Sequence, residues 1–447
     1  MGQGIDIDLV REGALAEADL PLAAAKLARM STTEVTSTLW RCSLKRSAVL
    51  FRLLSKERAL EVFERFEPAH QADLVRALRD EDVTGLFAGL DPDDRVGLLD
   101  EVPAVLAKRL LSDLTPHERA LTTLMLGYPA RSVGRRMSPE YVRAHPEFTA
   151  GRVLEIVRHR ATEAETIYMI PVTDGEKRLV GVVSLREILA ASEDARVSEL
   201  MQTPELATVS DDAEQVARRC SEANLLAMPI VDSEKRLVGI LTIDDAHQIL
   251  RDAEDEDIAR AGGAEPLRRP YLSTSAFKIA RARVVWLLVL AVSALLTVQV
   301  LGIFEATLEQ KVVLALFIPL LTGTGGNTGS QAATTITRAL AMGEVTSKDV
   351  GRVLLREFRV GTTLGLLLGI LGFTLASLVY DVPTGLVIGS TLLCVCAMAA
   401  TVGGAMPLIA KAIRVDPAVF STPFITTFCD ATGLLIYFSL AKVILGI

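Results

Sequence analysis

FIPLLTGTGGNTGSQAATTITRAL (317–340) is the stretch on which the reading of this chain turns. It opens inside an apolar run, VVLALFIPLL (312–321), long enough with its neighbours to enter a bilayer. Glycine, hydroxyl and amide side chains then take over. Pro319 and Gly323, Gly325, Gly326 and Gly329 are poor residues for an uninterrupted helix. Within lipid, irregular backbone survives only where protein covers it or water reaches it. The pattern therefore predicts a broken helix facing a pore or cavity, with freed carbonyls offered as oxygen ligands to a hard cation. Close helix packing is the competing account, with Gly325 and Gly329 spaced as GxxxG. It leaves Asn327, Ser330 and Gln331 unexplained.

Four further apolar segments surround it, giving spans near 280–304, 312–341, 353–380, 385–413 and 419–445. Lys278, Arg281 and Arg283 precede the first span. Arg338, Lys348, Arg352, Arg356 and Arg359 lie between the second and third, and Lys411 and Arg414 follow the fourth. The opposite side holds Lys311 with Glu305, Glu309 and Asp381. The positive-inside rule places the N-terminal half in the cytoplasm and the C-terminus outside. In the last span, AVFSTPFITTFCDATGLLIYFSLAKVIL (418–445), Asp430 lies near the middle. A carboxylate there costs about 2.5–3.5 kcal/mol even on a lenient insertion scale. No basic residue lies within a helical turn of it in sequence. Either it marks an ion route or it is a protonated structural group bonded to a neighbouring helix.

Residues 1–269 carry a net charge of −12 and residues 270–447 carry +4. An acidic soluble half disfavours a nucleic-acid partner and suits cations. Cys42, Cys220, Cys394, Cys396 and Cys429 show neither disulfide nor zinc spacing. MGQGIDIDLV lacks the pattern of a secretory signal. After a lead-in (1–30), residues 31–130 read as short amphipathic helices, such as PAHQADLVRALRD and PAVLAKRLLSDL. Units of this size stack into a small superhelix. Asp91, Asp93 and Asp94 cluster at one helix start, where acids favour the helix dipole.

Between 131 and 250 the chain repeats itself. MIPVTDGEKRLVGVVSLREIL (169–189) returns as AMPIVDSEKRLVGILTIDDAH (227–247), 58 residues on. Each copy reads strand, turn, strand, helix. This duplicated α/β unit resembles tandem CBS domains, with copies at 131–196 and 197–250. The resemblance implies clefts that bind adenine nucleotides such as ATP. The positions concerned are Arg186, Glu187, Pro229 and Asp245, with Glu187 standing where the family has a ribose-binding Asp.

An acidic helical connector (251–275) follows, with Asp252, Glu254, Asp255, Glu256 and Asp257. It leads to the membrane domain (276–447). PLLTGTGGNTGSQAA, PFITTFCDATGLLIYF and GYPARSVGRRMSPEYV (127–142), in this domain order, resemble the MgtE family of magnesium channels. The expected fold is thus an all-α superhelical domain, an α/β CBS pair, a connecting helix and five transmembrane α-helices. The resemblance implies a homodimer in the plasma membrane with a Mg²⁺ pore on its axis. Asp430 and its dimer mate hold a hydrated ion there, and Asn327 and the carbonyls of Gly326 and Thr426 help line the site. It further implies closure by Mg²⁺ at cytosolic acids, for which Asp91, Asp252, Glu256, Asp257 and Asp416 are candidates. Ser330 stands where family members often carry Asn. Another divalent cation, Mn²⁺ or Co²⁺, is the nearest rival cargo. A nucleotide-sensing membrane protein without transport is a second rival. A metalloprotease is excluded, since it needs HExxH and no histidine follows His247.

Overall fold

The computed structural model describes residues 20–267, 271, 274–413 and 422–446. It divides into two compact units, one built on residues up to Glu254 and one on the membrane half.

The first unit opens with α1 (Leu20–Arg29), α2 (Thr32–Arg41), α3 (Leu44–Phe51), α4 (Lys56–Glu64), α5 (Pro68–Ala77), α6 (Asp80–Gly89), α7 (Pro92–Glu101), α8 (Ala104–Asp113) and α9 (Pro116–Leu126). Start signals set the boundaries. Ser31 and Thr115 form capping boxes with Glu34 and Glu118, and Pro68, Pro92 and Pro116 open their helices. From α2 onward each helix packs on the one two further along, α2 on α4, α3 on α5, and so on to α7 on α9. Leu39, Leu50, Val62, Phe63, Leu74, Phe87 and Leu98 form the continuous core of this superhelix.

α10 (Ala150–Arg160), β1 (Met169–Thr173), β2 (Leu179–Ser184), α11 (Leu185–Ala190) and α12 (Val197–Leu200) make the first repeat. β3 (Ala207–Thr208), α13 (Ala213–Glu222), β4 (Ala227–Val231), β5 (Leu237–Thr242) and the start of α14 (Ile243–Ala261) make the second. β1–β2 and β4–β5 are antiparallel hairpins with the same register, Pro171 opposite Val182 and Pro229 opposite Ile240. Their turns place Lys177 and Lys235 at φ 64° and 61°. The two turns join reciprocally: Leu179 N–H donates to Lys235 O at 3.0 Å and Leu237 N–H to Lys177 O at 2.9 Å. The 58-residue sequence period is thus a structural pseudosymmetry.

The second unit contains α15 (Ala276–Ile303), α16 (Glu305–Gln310), α17 (Ile318–Ala341), α18 (Val350–Val379), α19 (Val382–Ala412) and α20 (Thr422–Leu445). Five helical stretches, of 23 to 31 residues, are long and apolar enough to cross a membrane. α19 is the most enclosed and packs on α17, α18 and α20. α18 and α19 approach so closely that a Cβ on Gly369 would sit 2.7 Å from the Gly389 carbonyl oxygen.

The expected interruption around Gly323–Gly329 is not there. α17 runs without a break from Ile318 to Ala341, and the irregular backbone lies before it, in a 3-10 turn over Val312–Phe317. Pro319 stands in the first helical turn, where its missing N–H leaves no ladder bond unmade. Gly325, Gly326 and Gly329 are tolerated because neighbours press against them, whereas a Cβ on Gly323 would meet open space. A Cβ on Gly403 of α19 would lie 2.1 Å from the Gly329 carbonyl oxygen, and one on Gly325 2.7 Å from Val395 Cγ1. Packing, the competing account, explains Gly325 and Gly329.

Candidate ion site and cytosolic acid cluster

Within the membrane unit, α17 and α20 meet at glycine. A Cβ on Gly326 would lie 3.1 Å from Thr426 Cγ2, and one on Gly329 3.0 Å from Cys429 Sγ. The sequence thereby brings two backbones together where a side chain would hold them apart. Asp430 stands one turn beyond Thr426 on α20 and is half-buried. It makes no hydrogen bond or ion pair with any described residue. The hydroxyls around it are engaged within their own helix: Thr426 and Thr427 donate to Pro423 O at 2.8 and 2.9 Å, and Thr432 to Phe428 O at 2.8 Å. Asn327 and Gln331 lie one turn apart on the exposed face of α17. Ser330 is buried, and its Oγ has no partner among the described residues. The site therefore offers one carboxylate, exposed amides and no cage of direct ligands. The carbonyls expected to be free near Gly326 lie instead in a continuous helix.

In the first unit, the superhelix and the CBS pair bring carboxylates together. Asp91 is the residue before α7, yet its side chain caps nothing. Burial raises its pKa, opposed by Arg95. Burial and neighbouring acids drive Asp93 well up, Asp94 to about 7 and Glu165 to about 8. Asp245 rises to about 6 for the same reasons, against the bond from Thr242. Asp245 and Asp91 act on Asp94 and Glu165, so acids from α7, the first repeat and α14 share one field. Arg136 opposes the rise at Asp94 and Asp245, and Arg95, which acts on Asp91, is buried and donates to Phe87 O at 3.2 Å and Ala88 O at 2.8 Å. No group of three or more His, Cys, Asp or Glu among the described residues has the geometry to hold a metal ion. Sequence reading found Asp91 and missed Glu165, whose sequence position carries no signal of this neighbourhood.

The remaining candidates are dispersed. Asp252 accepts from Gln248 Nε2 at 2.8 Å, and Glu256 pairs with Arg260 one turn on. Asp257 is exposed, and Asp416 lies outside the described residues. Arg186 is exposed, and Pro229 is buried in β4. Glu187 closes a capping box with Ser184 and accepts from Gln202 Nε2 at 2.6 Å, and its bonds from Ser184 lower its pKa. Asp245, its counterpart in the second repeat, belongs to the acid cluster instead.

Residues 318–440 match a family described as divalent cation transporter, MgtE. Residues 30–131 match the MgtE intracellular N domain, and 130–194 and 197–252 match CBS domains. The chain is 38% identical over 405 residues to the magnesium transporter MgtE of Thermus thermophilus, covering 89% of each. It is 32% identical over 355 residues to that of Bacillus subtilis, covering 79% of this chain and 78% of the relative. Among solved structures, the cytosolic domain of the Mg²⁺ channel MgtE in complex with ATP aligns at a TM-score of 0.50 and 32% identity. It covers 52% of this chain and 96% of that one.

Proposed function

The chain belongs to the MgtE family, and we propose that it is a Mg²⁺ channel of the plasma membrane, working as a homodimer with α17 and α20 lining the pore. It is an integral membrane protein with cytosolic N-terminal domains, and the basic flanks of its spans support a C-terminus outside. One observation carries the reading: Asp430 lies inside the span Pro423–Leu445, half-buried, with no countercharge among the described residues. A carboxylate so placed is offset best by a permeating cation. Mg²⁺ sheds water reluctantly and is held by one or two carboxylates with several waters kept. The engaged threonine hydroxyls and the lack of a direct cage suit a hydrated ion. The exposed amides of Asn327 and Gln331 cannot face lipid without cost, which favours a second copy across a watery axis.

Gating follows from the acid cluster. As its carboxyls ionise with rising pH they repel across the junction of the superhelix and the CBS pair, and divalent cations would neutralise them. Asp91 and Asp245 are the residues assigned to that role, with Asp252, Glu256 and Asp257 acting on the connector. Ions bound preferentially to the closed arrangement shift the channel toward it. ATP in the first CBS repeat, near Arg186 and Glu187, is part of the same reading, because the aligned relative is a complex with ATP. Asp245 is assigned to the cluster in this reading. The test is ion uptake into liposomes holding the purified protein, comparing Mg²⁺, Mn²⁺, Co²⁺ and Ca²⁺. Uptake of Mg²⁺ no faster than into empty vesicles would refute it.

A further inference from the structure

The polypeptide before α17 is not α-helical, so no continuous ladder fixes where that helix begins. Over Val312–Phe317 it turns as a 3-10 helix after Lys311. One polar contact reaches this segment from α20. The Tyr437 hydroxyl donates to the Leu314 carbonyl at 2.9 Å, and both residues are completely buried. Aromatic packing closes around it: Phe304 stacks on Phe438 with centroids 5.0 Å apart, and Lys442 lies over Phe304 at 5.2 Å. On the other flank Lys311 pairs with Asp381 at 3.1 Å, and Asp381 accepts the Thr384 N–H at 2.7 Å as the cap of α19.

We infer that Tyr437 is a positioning residue for the ion site, fixing the axial register of α17 against α20 through Leu314. The inference rests on the channel reading above. Along α20, Thr426, Asp430 and Tyr437 fall on one face, since residues seven or eleven apart are within about 20° of each other. Thr426 is held against Gly326 and Tyr437 against Leu314. These two contacts are about 16 Å apart at 1.5 Å per residue. Asp430 lies between them. The inner contact is apolar and can slide, whereas the outer one is a directional bond in an apolar surround, where an unmatched carbonyl is disfavoured. Loss of the hydroxyl therefore frees α17 to shift along α20, moving Asn327 relative to Asp430.

Tyr437→Phe keeps the ring and deletes the bond. In liposomes it is expected to lower the ratio of Mg²⁺ to Ca²⁺ uptake roughly tenfold, as expected for one buried hydrogen bond, and to raise the Mg²⁺ concentration for half-maximal flux. In purified protein, amide exchange over 314–321 should quicken, whether or not the protein conducts. Phe304→Leu removes the stack and the cation contact but leaves the hydroxyl bond. It should lower thermal stability while keeping selectivity. Unchanged exchange and selectivity in Tyr437→Phe would overturn the inference, as would an equal loss of selectivity in Phe304→Leu. Wild-type protein that takes up no Mg²⁺, with exchange quickened in Tyr437→Phe, would sink the channel reading and leave the clamp standing.

Discussion

Raising the pH in the absence of divalent cations should loosen the cytosolic unit, and Asp94 sets the scale. Its pKa stands at about 7 in the folded protein against the usual 3.8. That displacement is worth about 4 kcal/mol of preference for the protonated form. The folded state then binds more protons than the unfolded one between about pH 4 and pH 7, so stability falls as pH rises through that window. About 2.7 kcal/mol of this is lost between pH 5 and pH 8, so at roughly 2–4 °C per kcal/mol for a unit of this size the melting temperature should drop by roughly 5–10 °C over that range in chelator. Millimolar Mg²⁺ should flatten this dependence by supplying the charge that protons supply at low pH. Asp94→Asn should melt higher than wild type at pH 8 in chelator, and respond less to both pH and Mg²⁺. The assay is thermal unfolding of the purified protein followed by a probe of the cytosolic unit, across pH with and without Mg²⁺. Stability that is flat or rises with pH in chelator, or an Asp94→Asn protein weaker than wild type at pH 8, would refute the reasoning.

Asp430→Asn keeps the shape of the side chain and deletes its charge. Mg²⁺ uptake should fall at least tenfold at matched membrane expression, and uptake at the wild-type level would reassign Asp430 to a structural role. Neutralising Asp252, Glu256 and Asp257 together should leave more flux at high Mg²⁺ on the cytosolic side, read in patches or vesicles of known orientation. Gly403→Ala should destabilise the membrane unit by roughly 1–3 kcal/mol, because its Cβ would overlap the Gly329 carbonyl and the backbones must part. Unfolding in mixed micelles that matches the wild type would show that α17 and α19 have room to spare.

Much of the architecture was legible because it rests on short-range signals. Pro at helix starts, capping boxes and i, i+3, i+4 spacing mark the superhelix, and the 58-residue repeat marks the CBS pair. Asp430 was legible because a charge among apolar residues stands out. The conformation of 323–329 was misread. Glycine propensity describes a helix on its own, whereas α17 packs on α19 and α20, whose side chains, such as Val395, Thr426 and Cys429, occupy the space left beside Gly325, Gly326 and Gly329. The acid cluster was only half legible. Asp91 and Asp94 announce themselves as a run, but Glu165 and Asp245 join them through tertiary contacts across more than seventy positions. The Tyr437–Leu314 bond spans 123 positions and carries no local signal.

The superhelix has a consequence for how the chain is made. Its helices contact the second neighbour along the sequence, and its side-chain bonds between helices close loops of no more than 32 residues, as from Arg65 to Thr33. Topologies built from such near contacts fold quickly, without waiting for distant segments. At roughly 5–20 residues per second, synthesis needs many seconds to run from α9 to Ala276. The superhelix can therefore be compact before the first membrane helix has left the ribosome, and a folded domain is poorly suited to being drawn through the membrane. Folding order and the basic flanks of the spans then favour the same orientation of the finished protein.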